Sequence, residues 1–96
     1  MAGIVFKWDA AKAASNFRKH GLSFAEAVTV FADVLAAIHD DPEHSEEEAR
    51  ELIIGHTSDG QLVVVSFTEL PDSVRIIGAR KVTRRERSEY EASRKR

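Results

Sequence analysis

Leu62-Val63-Val64-Val65-Ser66-Phe67-Thr68-Glu69 is the stretch that decides the fold. Three consecutive valines and no Gly or Pro suit a pleated backbone, where β-branched side chains pack with least loss of freedom. Just after it, Pro71-Asp72 makes a turn, and residues 74–80 read as the partner strand. Just before it, Ser58-Asp59-Gly60 supplies Asp-Gly hairpin chemistry, leading back to a strand over 50–57 centred on Leu52-Ile53-Ile54. Three strands joined in succession by hairpins imply an antiparallel meander. Further upstream, Val34-Leu35-Ala36-Ala37-Ile38-His39 gives another strand, which Asp40-Asp41-Pro42 stops.

Ahead of the sheet the period changes. Ile4, Phe6 and Trp8 alternate with Val5 and Lys7, which predicts a short strand with Trp8 in the core. Asp9 is an N-cap, and Ala10, Ala13, Ala14 and Phe17 form the apolar stripe of a helix over 10–20 that Gly21 ends. Ser23 and Glu26 make a capping box for a second helix with Phe24, Ala27, Val28 and Phe31 inward. A second box, Thr83-Arg84-Arg85-Glu86, opens a last helix that packs through Tyr90. The order β-α-α-β-β-β-β-α predicts an α+β domain over 1–92, followed by a frayed basic end at 93–96. Its sheet is an antiparallel meander, with the two N-terminal helices on one face and a C-terminal helix.

Ninety-six residues, 43% hydrophobic and 31% charged, fit one globular domain. The absence of cysteine excludes disulfides, thiolate metal sites and thiol nucleophiles. Lys7 and Asp9 interrupt the N-terminal apolar run, and no stretch reaches the ~20 residues of a membrane helix, so a soluble, cytoplasmic protein is expected. Net charge is −2, yet it is segregated. Residues 33–48 hold seven acids and no Lys or Arg, while residues 80–96 hold eight basic residues against three acids. A basic face attracts anionic partners whatever the total charge, although a solvated helix with a basic tail gives the same count.

Four histidines invite a metal. His39 and His44 flank an acidic loop at a spacing that matches no ligand motif, and His56 sits before a turn, so no metal and no cofactor are expected. Neither a Gly-rich phosphate loop nor a Gly-x-Ser-x-Gly elbow occurs. His20 closes the first helix in Arg18-Lys19-His20-Gly21. It reads either as a cap complementing the helix dipole or as a general acid or base, with Lys19 beside it for a phosphate. Glu69 and Arg75 flank a hairpin turn and read as a cross-turn pair or as part of a site with Arg80 and Lys81. The Arg80 guanidinium has the shape to clamp two phosphate oxygens, beside the N–H groups that open the last helix. Such a set supports metal-free RNA cleavage, which needs a base for the 2′-hydroxyl, an acid for the leaving 5′-oxygen and cations on the phosphorane.

Phe6-Lys7-Trp8-Asp9, Lys12, Asn16 and Lys19-His20-Gly21-Leu22-Ser23-Phe24 with Glu26-Ala27 and Val30-Phe31 resemble the BrnT family. The likeness continues through Arg50, Gly55, Val63-Val64-Val65, Thr68-Glu69, residues 75–81, Arg84-Arg85-Glu86 and Tyr90. This resemblance implies a RelE-like fold and a type II toxin, a metal-independent ribonuclease that blocks translation. It further implies a BrnA-like ribbon-helix-helix antitoxin as partner, RNA as substrate, and operator DNA bound only through the antitoxin. Carried over residue by residue, it suggests His20, Glu69 and Arg80 as catalytic residues. Lys19, Arg75, Lys81, Arg84 and Arg85 are then candidate RNA contacts. One departure stands out: many members have Arg after the Thr-Glu pair, where this chain has Leu70-Pro71. Either Arg75 or Arg84 compensates, or the chain is a weakly active or non-catalytic binding module of the same fold.

Overall fold

The computed structural model describes residues 3–41 and 49–93. Its elements are β1 (Phe6–Lys7), α1 (Ala10–His20), α2 (Phe24–Ala27) running into a 3-10 turn (Val28–Ala32), β2 (Ala37–Asp40), β3 (Glu51–His56), β4 (Leu62–Leu70), β5 (Ser73–Lys81) and α3 (Arg84–Ser93). The α+β architecture and the element order match the expectation. Of the end expected to fray at 93–96, Ser93 closes α3, and residues 94–96, like His44, lie outside the described residues.

Strands β2 to β5 form the expected antiparallel meander, in which Val65 faces Ile53 on one side and Ala79 on the other. The sheet order is β1-β5-β4-β3-β2, and β1 joins its far edge parallel to β5, with Phe6 beside Val74. The sheet is therefore mixed rather than purely antiparallel. A two-residue strand leaves no period from which its pairing direction could be read.

One face of the sheet carries the core. Leu22, Phe24, Ala27 and Val30 pack on Ile53, Val63, Val65, Phe67, Ile76 and Ala79. Phe31 bridges the layers, with its ring centroid 5.1 Å from both Phe6 and Phe67. On the other face α3 lies by β2 and β3, where Tyr90 is buried and sets its ring edge against His56 at 5.7 Å. Gly55 lies in the sheet where a Cβ would come within 2.8 Å of the Ala36 Cβ and 2.9 Å of Val30, so only glycine lets β3 meet the turn ahead of β2.

Local capping holds up well. The Asp9 carboxylate accepts from Lys12 N–H at 3.1 Å, and Gly21 ends α1 at φ 68°. The α3 box is complete: Thr83 Oγ1 accepts from Glu86 N–H at 3.1 Å and Glu86 accepts from Thr83 N–H at 2.8 Å. The α2 box is half made, because Glu26 reaches Asp59 N–H instead of its own N-cap.

Three apolar expectations need correction. Trp8 is 39% exposed and touches only the edge of the core through a T-shaped contact with Phe24. Phe17 is 55% exposed, since α1 sits at the sheet edge and packs through Ala13 and Asn16 instead. Val34 is 93% exposed in a turn that precedes β2, so the strand starts three residues later than the apolar run. Each of these apolar runs extends past the surface its element has to cover. Among the described residues no helix is long and apolar enough to cross a membrane.

Candidate functional site

The β1–β5 pairing covers only Val74 and Arg75, so the rest of the outer edge of β5 has no strand beside it. Asn16 of α1 takes that place. Its carboxamide accepts from Ala79 N–H at 3.1 Å and donates to Ala79 C=O at 2.9 Å, as a neighbouring strand would. The same amide nitrogen donates to Leu22 C=O at 3.1 Å, which ties down the chain just past the helix end. These bonds satisfy buried backbone groups and fix α1 against the sheet edge. They set the last turn of α1, with Lys19 and His20, next to the end of β5.

Two concavities result. A cavity of about 200 Å³ on the face away from the core is lined by Asn16, His20, Leu52, Ser66, Gly78 and Arg80. A groove of about 190 Å³ along α1 is lined by Lys12, Ser15, Asn16, Lys19, His20 and Ile77. Asn16 and His20 line both, so the two are adjoining parts of one surface.

Arg80 does not enter this site as a bare cation. Its Nη1 and Nη2 donate to the two Glu86 oxygens at 2.8 and 2.9 Å, and Nη1 also reaches Lys81 C=O at 3.3 Å. Facing this fork, with the Thr83 N–H as a second donor and burial opposing both, the Glu86 carboxyl is held down at about 2. Arg80 is shifted up by the same pair. The end-on edge of the guanidinium is thus taken. The side-on edge, Nε with the second Nη2 hydrogen, makes no hydrogen bond among the described residues and is the edge left for an anion.

The structure places His20 and Arg80 on one cavity, with Lys19 beside His20 in the adjoining groove, and none of them shares a concavity with Glu69. Glu69 faces Val74 whereas Arg80 faces Val64, six residues further along β5, or about 20 Å of strand. Glu69 also shares the face of Val63, Val65 and Phe67, while Arg80 lies on the other. There it meets Glu51, whose carboxyl is raised by burial first and then by Glu69 and Asp40. The expected three-residue constellation of His20, Glu69 and Arg80 is therefore not one site. Leu70, beside the β4–β5 turn, belongs to the same distant end as Glu69.

Among the expected RNA contacts, Arg75 lies opposite Thr68 toward the turn, and Lys81 is opposite Val63, on the face away from Arg80. Arg84 and Arg85 open α3, and Arg85 pairs with Glu89 at 3.3 Å on the surface. Sequence reading left Lys12, Ser15, Asn16 and Glu86 out of the site. The helical spacing of Lys12, Ser15, Asn16, Lys19 and His20 was an available signal, since i, i+3, i+4, i+7 and i+8 share one face. His39 lines a separate cleft with Tyr90, and no three His, Asp or Glu side chains gather as metal ligands among the described residues.

A family model described as the ribonuclease toxin BrnT of a type II toxin–antitoxin system matches residues 8–86. The crystal structure of the Brucella abortus ribonuclease toxin BrnT is similar at a TM-score of 0.62 and 21% sequence identity. The match covers 85% of this chain and all of that one, and at such identity it shows a shared fold. No curated protein matches the sequence significantly.

Proposed function

The chain belongs to the BrnT family of ribonuclease toxins of type II toxin–antitoxin systems, and from that premise we propose a metal-independent endoribonuclease working at the His20–Arg80 cavity. The observation that carries this reading is that His20 and Arg80, far apart in sequence, line one cavity, with Lys19 in the adjoining groove. Imidazole is the side chain that exchanges protons near neutral pH. His20 takes the proton of the 2′-hydroxyl, whose oxygen attacks the adjacent phosphorus. The P–O5′ bond then breaks, the leaving oxygen takes a proton from water, and a 2′,3′-cyclic phosphate and a 5′-hydroxyl remain. The side-on edge of Arg80 stabilises the charge on the phosphorane, as fixed donors do in a preorganised site. Glu86 holds the guanidinium in place for this task.

As a toxin of this class the chain has an antitoxin partner. We take that partner to be a BrnA-like ribbon-helix-helix protein, through which alone operator DNA is bound, and the site of action to be cytoplasmic RNA. Purified protein incubated with RNA in excess EDTA tests the proposal. Cleavage should persist, and His20→Ala should lower its rate at least 100-fold, the usual weight of a general base. Loss of cleavage in EDTA overturns the metal-free claim, and an active His20→Ala variant overturns the site. A binding module without catalysis is the second reading, favoured by the occupied fork of Arg80. Induction of the gene alone separates the two, because a pure binder leaves viable counts unchanged.

A further inference from the structure

The groove along α1 adjoins the cavity and shares Asn16 and His20 with it, while Lys12, Ser15 and Ile77 take no part in the chemistry above. Lys12 stands at one end of it and Lys19 at the other, seven residues or about 10 Å of helix apart. Neither has an acidic partner among the described residues, and α1 itself contains no Asp or Glu. The one apolar side chain in the groove's lining is Ile77. The bulge between β4 and β5 pairs Ser66 with Gly78 and Phe67 with Ile76, which leaves Ile77 without a partner in the ladder. Bulges of this kind re-aim a side chain, and here Ile77 lines the α1 groove.

A lysine at each end and one apolar side chain between them, in a groove open to solvent and continuous with a phosphate-sized cavity, suit the charged backbone and uncovered base of an unpaired nucleotide. We propose that the α1 groove is a second nucleotide subsite for single-stranded RNA. It takes the phosphate next along the strand between Lys12 and Lys19, and lays that nucleotide's base on Ile77. Lys12 is then a binding residue outside the catalytic cavity, and the substrate is an extended single strand that crosses the β5 edge over Asn16. This subsite rests on the ribonuclease reading and deepens it.

The test uses a labelled, uncleavable 2′-O-methyl RNA hexamer, with affinity read by fluorescence anisotropy across a salt series. Lys12→Ala should weaken binding about three- to tenfold and reduce the slope of log affinity against log salt by about 0.7, the loss of one single-strand phosphate contact. Lys12→Arg should restore both. Ile77→Ala should weaken binding about threefold with the slope unchanged, because it removes an uncharged contact. A Lys12→Ala variant with wild-type affinity and slope overturns the subsite. If wild-type protein cuts and binds RNA while Lys12→Ala is unaffected, the subsite alone falls. If the wild type neither cuts nor binds RNA, the ribonuclease reading falls and takes the subsite with it. Should Lys12→Ala leave RNA affinity intact and weaken the antitoxin complex, the groove serves an acidic protein segment and the proposal is wrong.

Discussion

Replacing Glu86 by Gln removes a single negative charge and leaves most of its geometry in place. Gln can still accept from Thr83 N–H and so keeps the capping box of α3. What it loses is the charge-assisted fork with Arg80, now 2.8 and 2.9 Å long. The Glu86 carboxyl is drawn from 4.5 to about 2, with Arg80 as the leading cause. Unscreened, that displacement corresponds to roughly 3 kcal/mol. The Arg80 side chain is 41% exposed and that of Glu86 27%, so solvent reduces the pair to about 1 kcal/mol. Because the folded carboxyl lies below its unfolded value, this stabilisation is present above about pH 4.5 and lost as pH falls toward 2. Urea unfolding followed by circular dichroism should therefore show Glu86→Gln less stable by about 1 kcal/mol at pH 7, or roughly 4–8 °C in melting temperature. The gap should shrink below half by about pH 3. Added salt should narrow it at neutral pH. A variant equally destabilised at pH 7 and pH 3 would refute the electrostatic account, as would one with wild-type stability at pH 7.

Two further substitutions probe how the site is held. Gly55→Ala should cost about 1–3 kcal/mol in denaturant unfolding, because the new methyl lands within 2.9 Å of both Val30 and Asp33; an unchanged midpoint would mean that the turn ahead of β2 yields freely. Asn16→Asp can still accept from Ala79 N–H but can donate to neither Ala79 C=O nor Leu22 C=O. It should lower stability by about 2–3 kcal/mol at neutral pH and loosen the end of α1, seen as faster amide exchange across residues 17–21. Wild-type exchange there would remove Asn16 from its role as the edge clasp.

Much of this protein was legible one element at a time. The runs over 62–69 and 74–80 stand as β4 and β5, since turn chemistry and a short-range pattern settle a hairpin locally. Asp9, Gly21 and the Thr83–Glu86 box work as read, because a cap needs only residues three or four apart. His20 and Lys19 were legible as candidates for the same reason: the chemistry of a helix end is local.

The sheet register decided what no local pattern carries. It put Glu69 on the core-side face, about 20 Å along the strand from Arg80, although both had looked like ends of one basic and acidic cluster. It turned Glu86 from a capping residue into the partner of Arg80, through a bond that depends on where α3 starts relative to β5. It extruded Ile77 beside Lys12, and it left the β5 edge for Asn16 to fill. The sequence by itself determined the elements, their caps and the family. Which side chains share a face and an end depended on pairings between residues far apart in the chain, sixty-three positions for Asn16 and Ala79 and sixty-eight for Phe6 and Val74. Tertiary structure alone settles those, because a shift of one residue in a strand's register sends every side chain on it to the opposite face.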